Sequence, residues 1–230
     1  MELLFDSVLR LEQFRLKSAL ASELKDLGYE IRDEDGYLYA TGDVPVMLVA
    51  HMDTVHVGPP VDIIEDDGKI SSPQGIGGDD RAGVWMVLQI IKEIKCHVLF
   101  CEDEERHGAG AKKFTHSGIR PEVNYLIELD RRGSNDAVFY SCDNQEFIEF
   151  ITSHGYEKNH GTFSDISLVA PYLNIAAVNL STGFYNEHAL YESIDYRVVS
   201  ENIIRTKKII LSDSKEFLYR LDDHEGLLKL

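Results

Sequence analysis

Residues 46–53 are VMLVAHMD, five apolar residues followed by a histidine and an aspartate two positions apart. A continuous apolar run of this length predicts a strand buried on both faces, as in a parallel sheet covered by helices. HVLFC at 97–101 and YLIEL at 125–129 repeat the pattern, and acidic residues follow each of them. These runs predict an α/β fold with three layers, in which helices cover both faces of a mostly parallel mixed sheet.

Apolar residues at helical spacing predict the helices of the outer layers. The predicted helices span residues 2–27, 80–94, 108–115, 145–155 and 196–222, the last as one long or two shorter helices. Further strands are predicted at 137–141 and 175–180, and hairpins at 29–41 and 61–71. The sequence has no low-complexity linker and no internal repeat, so we expect residues 1–230 to form a single domain.

Composition excludes several classes of partner. The chain has 23 basic and 40 acidic residues, and its net charge of −17 would repel nucleic acid and anionic membranes. It contains no apolar run of the roughly 18 residues that a membrane span needs, and its first residues do not resemble a signal peptide.

The chain has an odd number of cysteines, Cys96, Cys101 and Cys142. We expect them to be reduced core residues of a cytoplasmic protein.

Polar side chains follow the three buried strands at the point where each ends. His51 and Asp53 follow the first strand, Glu104 and Glu105 the second, and Asp130 ends the third. Taken alone, the His51–Asp53 pair favours an ordinary loop histidine beside an unrelated aspartate. However, the carboxyl ends of parallel strands meet at one edge of a sheet, which would bring all of these side chains together. Histidine and carboxylates are common ligands of divalent cations.

The segment GIGGDDRAG at 75–83 adds two adjacent aspartates to this group. Its glycines allow a tight turn and a close approach to a ligand. Asp79 could bridge two cations with its two oxygens, and Asp80 could cap the helix that follows. A phosphate-binding turn is the alternative, but two aspartates would repel phosphate and the lysine and hydroxyl of a P-loop are absent.

Glu104 and Glu105 are adjacent, so their side chains diverge and can have different functions. One can bind a metal while the other takes a proton from an attacking water and passes it to a leaving nitrogen. The alternative is a solvated acidic run, since residues 102–105 are all acidic. The position of the pair directly after a buried strand favours the functional interpretation. Asp130 could equally cap a turn, and His188 in NEHALYE is unremarkable when taken alone.

The order H-x-D, G-D-D-x-A-G, E-E, D and H-x-x-x-E, from about residue 45 to 192, resembles the co-catalytic dizinc peptidases and amidohydrolases. That family includes tripeptidase T, acetylornithine deacetylase, succinyl-diaminopimelate desuccinylase and the glutamyl-type aminopeptidases. The resemblance implies a zinc-exopeptidase-like fold and two divalent metal ions. Zn²⁺ is the expected ion, and Co²⁺ or Mn²⁺ could replace it.

The resemblance also implies a role for each motif residue. His51 and Asp130 would bind one metal, and Glu105 and His188 the other, while Asp79 would bridge both. Glu104 would be the catalytic base and acid. Asp53 would be the second catalytic residue, supporting His51 and the site.

The chain departs from the lidded members of the family in one respect. Too few residues separate Asp130 from His188 to hold the inserted lid or dimerisation domain that those members carry. Substrate must then be bound by other residues, for which the candidates are His107, His160 and Tyr185. Asp165 is a further candidate, because HGTFSD at 160–165 resembles a T-D-x-S segment that lines the pocket of several relatives.

Three functions are consistent with this pattern. The first is an exopeptidase, specifically an aminopeptidase acting on small peptides. The second is an N-acyl-amino-acid amidohydrolase or deacetylase. The metal ligands do not distinguish it from a peptidase, because both kinds of enzyme cleave an amide. The third is a catalytically silent metal-binding module, against which Asp79, Glu104 and Glu105 argue. The expected partners are a small peptide or acyl-amino-acid substrate, and an exposed site without a lid favours a homo-oligomer.

Overall fold

The computed structural model describes residues 3–221, which form two sheets and seven helices. The strands are β1 (Glu30–Glu34), β2 (Tyr37–Thr41), β3 (Val44–His51), β4 (Ile64–Asp66), β5 (Lys69–Ser71), β6 (Cys96–Cys101), β7 (Tyr125–Arg131), β8 (Asp136–Val138), β9 (Glu157–Asn159), β10 (Ala177–Ser181), β11 (Phe184–Tyr185) and β12 (Ser193–Asp195). The helices are α1 (Phe5–Arg10), α2 (Gln13–Asp26), α3 (Gly78–Ile91), α4 (Ala109–Thr115), α5 (Gln145–Thr152), α6 (Ile166–Leu173) and α7 (Tyr196–Leu211).

The main sheet has eight strands in the order β1-β2-β6-β3-β7-β10-β8-β9. Its centre, β6-β3-β7-β10, is parallel, while β2 pairs antiparallel with β6 and β8 pairs antiparallel with β10. This confirms the mostly parallel mixed sheet that the apolar runs predict. A smaller antiparallel sheet, β11-β12-β5-β4, lies outside it.

Alternate residues of β3 enter two separate hydrophobic clusters, because successive side chains of a strand point to opposite faces. Leu48 and Ala50 pack with residues of α1, α2, α3, α5 and α7. Met47 and Val49 pack with residues of α4 and α6 on the other face. The fold therefore has the three layers expected from the sequence. Cys96, Cys101 and Cys142 are all buried and unpaired.

The N-terminal helix predicted at 2–27 is two helices, and its first residue lies outside the described part of the chain. The backbone is extended at Leu11 and Glu12, between α1 and α2. The break frees carbonyl groups that a single helix would use internally. The buried side chain of Arg81 donates from Nη1 to the carbonyls of Val8 and Leu11, at 2.8 Å each. A contact distant in sequence thus stabilises the break.

Two further predictions differ from the structure. The helical prediction over 196–222 ends with α7 at Leu211, where serine and aspartate begin an extended segment; its last residue is not among those described. That segment forms bridges from Leu218 to Ile175 and from Leu221 to Cys142. The sequence does not predict helix α6, because this helix is short and contains Pro171, which argues against a helix.

The segment between Asp130 and His188 contributes β8, β9 and β10 to the main sheet and α5 and α6 to its faces. The organisation of residues 1–230 as one domain stays a prediction, because residues 1–2 and 222–230 lie outside the described range. Within residues 3–221, no helix is both long enough and apolar enough to cross a membrane.

Candidate metal centre

The sheet order explains why distant motifs meet. Strands β6, β3 and β7 are parallel neighbours, so their carboxyl ends lie along one edge. His51 is the last residue of β3, Asp130 lies near the end of β7, and a 3-10 turn at Glu104–Arg106 follows β6. This edge is where open α/β sheets place their ligand sites.

His51 is almost completely enclosed, with 1% of its surface exposed. Its Nε2 lies 3.1 Å from Oδ1 of Asp79 and 3.3 Å from Oδ1 of Asp130. Its Nδ1 lies 3.2 Å from Oδ1 of Asp53. An acceptor on Nδ1 leaves the lone pair of Nε2 free to face a cation, which is the arrangement typical of metal-binding histidines.

Asp79 lies between the two histidines of the series. Its Oδ1 faces His51, and its Oδ2 lies 3.2 Å from Nε2 of His188. The same His188 nitrogen is 2.9 Å from Oε1 of Glu105. One carboxylate thus contacts both ends of the cluster, as a ligand shared by two cations would.

The donor set fits divalent cations. Oε1 of Glu105 is buried and forms no hydrogen bond, although it lies close to the ring of His188. Ligand atoms of His51, Asp79 and Glu105 lie within 4.8 Å of one another, and so do those of His51, Asp80 and Asp130. Oxygen and imidazole donors grouped in this way suit Zn²⁺, and also Co²⁺ or Mn²⁺.

Asp80 uses its oxygens differently from Asp79. Its Oδ1 accepts the amide of Gly83 at 3.0 Å, and its Oδ2 accepts the amide of His51 at 3.2 Å. The first bond caps the start of the regular part of α3, which confirms the helix-capping role predicted from the sequence. The second bond fixes the backbone of His51.

Asp53 connects the histidine to the glutamate pair. Its Oδ1 accepts the amide of Glu104 at 2.9 Å, and its Oδ2 accepts the amide of Glu105 at 3.1 Å. It also faces Nδ1 of His51. Asp53 therefore orients three residues of the centre at once through its contacts.

The sequence does not single out Asn179, the residue that holds Asp130 in place. The side chain of Asn179 accepts the amide of Asp130 at 3.0 Å and donates to its Oδ2 at 3.3 Å. Asn179 also donates to the hydroxyl of Tyr140 at 3.0 Å. Asn179 is a polar residue inside the apolar strand β10, and that interruption was the signal available in the sequence.

Burial and crowding set the proton affinities of the carboxylates. Burial, together with the negative charges of Asp130, Glu105 and Asp79, raises the pKa of Glu104 to about 8. Burial likewise raises the pKa of Asp130 to about 7, and His51 partly opposes this shift. A carboxylate with a pKa near neutrality is suited to accept and return a proton.

The pKa of His188 is raised to about 9, mainly by its side-chain contact with Asp79. Hydrogen bonds from His188 and His51 hold the pKa of Asp79 well below its usual value despite burial. Asp79 is therefore paired with both histidines.

These shifts predict how pH affects the stability of the metal-free protein. Glu104, Asp130 and His188 all bind protons more tightly in the folded chain than in the unfolded chain. Raising the pH from about 5 to 9 deprotonates the unfolded chain first, so the free energy of unfolding should fall across this window. We expect the Tm of EDTA-treated protein to decrease by several degrees from pH 5 to 9 by calorimetry. A flat or rising Tm would contradict the shifts.

A cavity of about 300 Å³ opens over the centre. It is lined by residues of the centre and by neighbouring loops: Asp79, Glu104, Glu105, His107, Asp130, Arg131, Arg132, Tyr140, Gly161, Thr162, Phe163, Phe184, Glu187 and His188. The arginines at 131 and 132 are paired with Asp136 and Glu187, respectively. A second cavity, of about 590 Å³, adjoins the first at Glu105.

The predicted substrate-binding residues fall mostly outside this cavity wall. His107 lines it, but His160, Asp165 and Tyr185 do not. Tyr185 follows Phe184 in β11, and Phe184 is the one that faces the cavity, as alternation along a strand requires. Asp165 is completely buried, and His160 is exposed at the end of β9. The geometry therefore does not support substrate contact by these three.

Comparison with known proteins agrees with this architecture. A tripeptidase from Staphylococcus aureus superposes with a TM-score of 0.75 at 15% identity, covering 90% of this chain and 95% of that one. Aminopeptidase PepT from Bacillus cereus gives a TM-score of 0.72 at 15% identity, with 90% and 96% covered. A putative Zn-dependent exopeptidase from Bacteroides vulgatus gives 0.59 at 18%, with 91% of each chain covered.

No curated protein matches the sequence. The model of peptidase family M28, however, matches residues 38–204, which include every motif of the centre. The chain belongs to peptidase family M28 and is a hydrolase of the metallopeptidase type.

Proposed function

We propose that this chain is an exopeptidase that removes residues from the amino terminus of small peptides with the help of two divalent cations, most simply Zn²⁺. The observation that carries the proposal is the convergence of five ligand-type side chains beside Glu104, four of which line one cavity while His51 lies buried behind them. These side chains are His51, Asp79, Glu105, Asp130 and His188.

The contacts suggest how the ligands divide. His51 and Asp130 would hold one cation, Glu105 and His188 the other, and Asp79 would contribute one oxygen to each. When bound, such cations polarise the scissile carbonyl and lower the pKa of a water molecule. Asp53 keeps His51 and the two glutamates in place.

Glu104 carries the proton transfer. It is not needed as a ligand in this division, it lines the cavity, and its raised pKa favours proton exchange near neutral pH. It takes a proton from the attacking water as the new carbon–oxygen bond forms. It then delivers that proton to the amide nitrogen as the carbon–nitrogen bond breaks, so that one water is consumed for each bond cleaved.

The size of the cavity supports a small substrate, since its volume of about 300 Å³ lies at the lower end of the range for ligand pockets. The aminopeptidase and tripeptidase among the similar folds are in line with a peptide substrate. Assembly into a homo-oligomer stays a prediction, which light scattering on the purified protein would test.

Removal of metal is the direct test of this function. We expect purified protein to hydrolyse aminoacyl-4-nitroanilides or di- and tripeptides, to lose about 100-fold or more of this activity on dialysis against EDTA, and to regain it with Zn²⁺, Co²⁺ or Mn²⁺. Elemental analysis should find two bound cations per chain.

The same assay, with N-acyl amino acids added to the substrates, distinguishes the alternatives. Hydrolysis of N-acyl amino acids without hydrolysis of free-amino peptides would favour an amidohydrolase. Two bound cations without hydrolysis of any amide in the panel would favour a silent metal-binding module. Peptide hydrolysis that resists EDTA would contradict the mechanism.

A further inference from the structure

Glu192 is a buried carboxylate outside the ligand set, four residues after His188, and it is completely inaccessible to solvent. Its Oε1 accepts the amide of Asp79 at 2.9 Å, and its Oε2 accepts the amide of Gly77 at 3.0 Å. His56 lies with Nε2 3.0 Å from the same Oε2. Because a carboxylate can only accept hydrogen bonds, all three partners are donors.

The glycines of GIGGDDRAG leave room for these contacts. A Cβ at Gly75 would lie only 2.2–2.6 Å from three atoms of the His56 ring. A Cβ at Gly78 would lie 3.3 Å from Oε1 of Glu192 and 2.8 Å from Cγ1 of Ile194. The glycine-rich turn therefore admits the side chains of His56 and Glu192, which gives these glycines a use other than phosphate binding.

Glu192 joins two parts of the metal centre, the turn that carries Asp79 and the segment that carries His188. It belongs to the short segment that carries His188, where the amide of Glu192 donates to the carbonyl of Ala189 at 3.0 Å. Its carboxylate is bonded to the turn that carries Asp79. One residue thus connects the turn of Asp79 to the segment of His188 and sets the distance between them.

We propose that Glu192, held in place by His56, is a positioning residue that sets the bridging carboxylate of Asp79 opposite His188 so that both cations can bind. This inference rests on the proposed two-cation function. A carboxylate buried at this depth is costly unless its hydrogen bonds are satisfied, and here two of its three donors are the backbone amides of Asp79 and Gly77. Neither Glu192 nor His56 would touch the substrate or a cation.

The test is the Glu192→Gln variant of the full chain. Glutamine has the same shape, but its NH₂ group cannot accept, so either the amide of Asp79, or that of Gly77 together with His56, loses its acceptor. We expect the Kd for Zn²⁺, measured by competition with a fluorescent chelator on metal-stripped protein, to rise about 10- to 100-fold for both cations. At saturating Zn²⁺, kcat should return close to that of the wild type with KM unchanged.

Glu201→Gln is the matched control, because Glu201 is an exposed carboxylate on α7. His56→Ala provides a second variant in case Glu192→Gln does not fold; it keeps Glu192 and should raise the Kd by about 10-fold or less. A lower Tm with an unchanged Kd in the folded variants would show that the contacts only stabilise the fold and would overturn the inference. Failure of the wild type itself to bind two cations would instead overturn the proposed function.

Discussion

Replacing Glu104 with glutamine is expected to lower kcat by about 10²- to 10⁴-fold while leaving cation binding intact, because glutamine has the shape of glutamate but cannot take up a proton at neutral pH. The backbone amide of Glu104 would still donate to Asp53, so the turn after β6 should keep its conformation. Steady-state kinetics on an aminoacyl substrate measures the loss, and elemental analysis measures the cations. Both measurements are needed, because a variant that loses the cations as well as the activity would indicate that Glu104 is a metal ligand and not the base.

Glu201→Gln again supplies the matched control, since it removes a carboxylate from the exposed surface of α7. It should leave kcat and the metal content unchanged. A Glu104→Gln variant with kcat within about threefold of the wild type would rule out Glu104 as the base. The pH profile gives an independent check, because the limb of kcat/KM that reports deprotonation of Glu104 should disappear in the variant.

The position of this centre could be predicted because its determinants are local. The apolar runs that became β3, β6 and β7 identify strands buried on both faces, and parallel strands bring their carboxyl ends to one edge. His51, Glu105 and Asp130 therefore meet without any information about side-chain packing. The contact of Asp53 with His51 also follows from spacing, since residues two apart in an extended chain share a face.

The parts that could not be predicted depend on contacts between residues distant in sequence. The break between α1 and α2 is stabilised by Arg81, some 70 positions further along the chain. The bonds from Glu192 to the turn of Asp79 likewise join segments more than 100 positions apart. Local spacing and periodicity contain no signal for such pairs. A motif alone also does not give the direction of a side chain: the HGTFSD segment predicts Asp165 at the cavity, but Asp165 is completely buried and does not line it.

The second large effect is expected for Asp79→Asn, which should abolish binding of both cations at micromolar Zn²⁺. Asp79 is the one carboxylate in the described part of the chain whose two oxygens face both histidines of the centre, so its loss affects both positions rather than one. Asparagine keeps the shape and the backbone amide that donates to Glu192, but it has one neutral oxygen and an NH₂ group that repels a cation. Elemental analysis and chelator competition measure the result, with Asp66→Asn as the control at an exposed aspartate of β4.

Asp79→Asn also has a consequence in the metal-free protein that does not depend on activity. The contact with Asp79 is the main cause of the raised pKa of His188, which is about 9. Removing the negative charge should therefore lower the pKa of His188 towards its ordinary value, as measured by NMR titration of the imidazole in EDTA. Glu105, 2.9 Å from the same nitrogen, should retain part of the shift. Retention of one tightly bound cation together with an unchanged pKa of His188 would show that Asp79 serves only the His51 side and does not bridge the two.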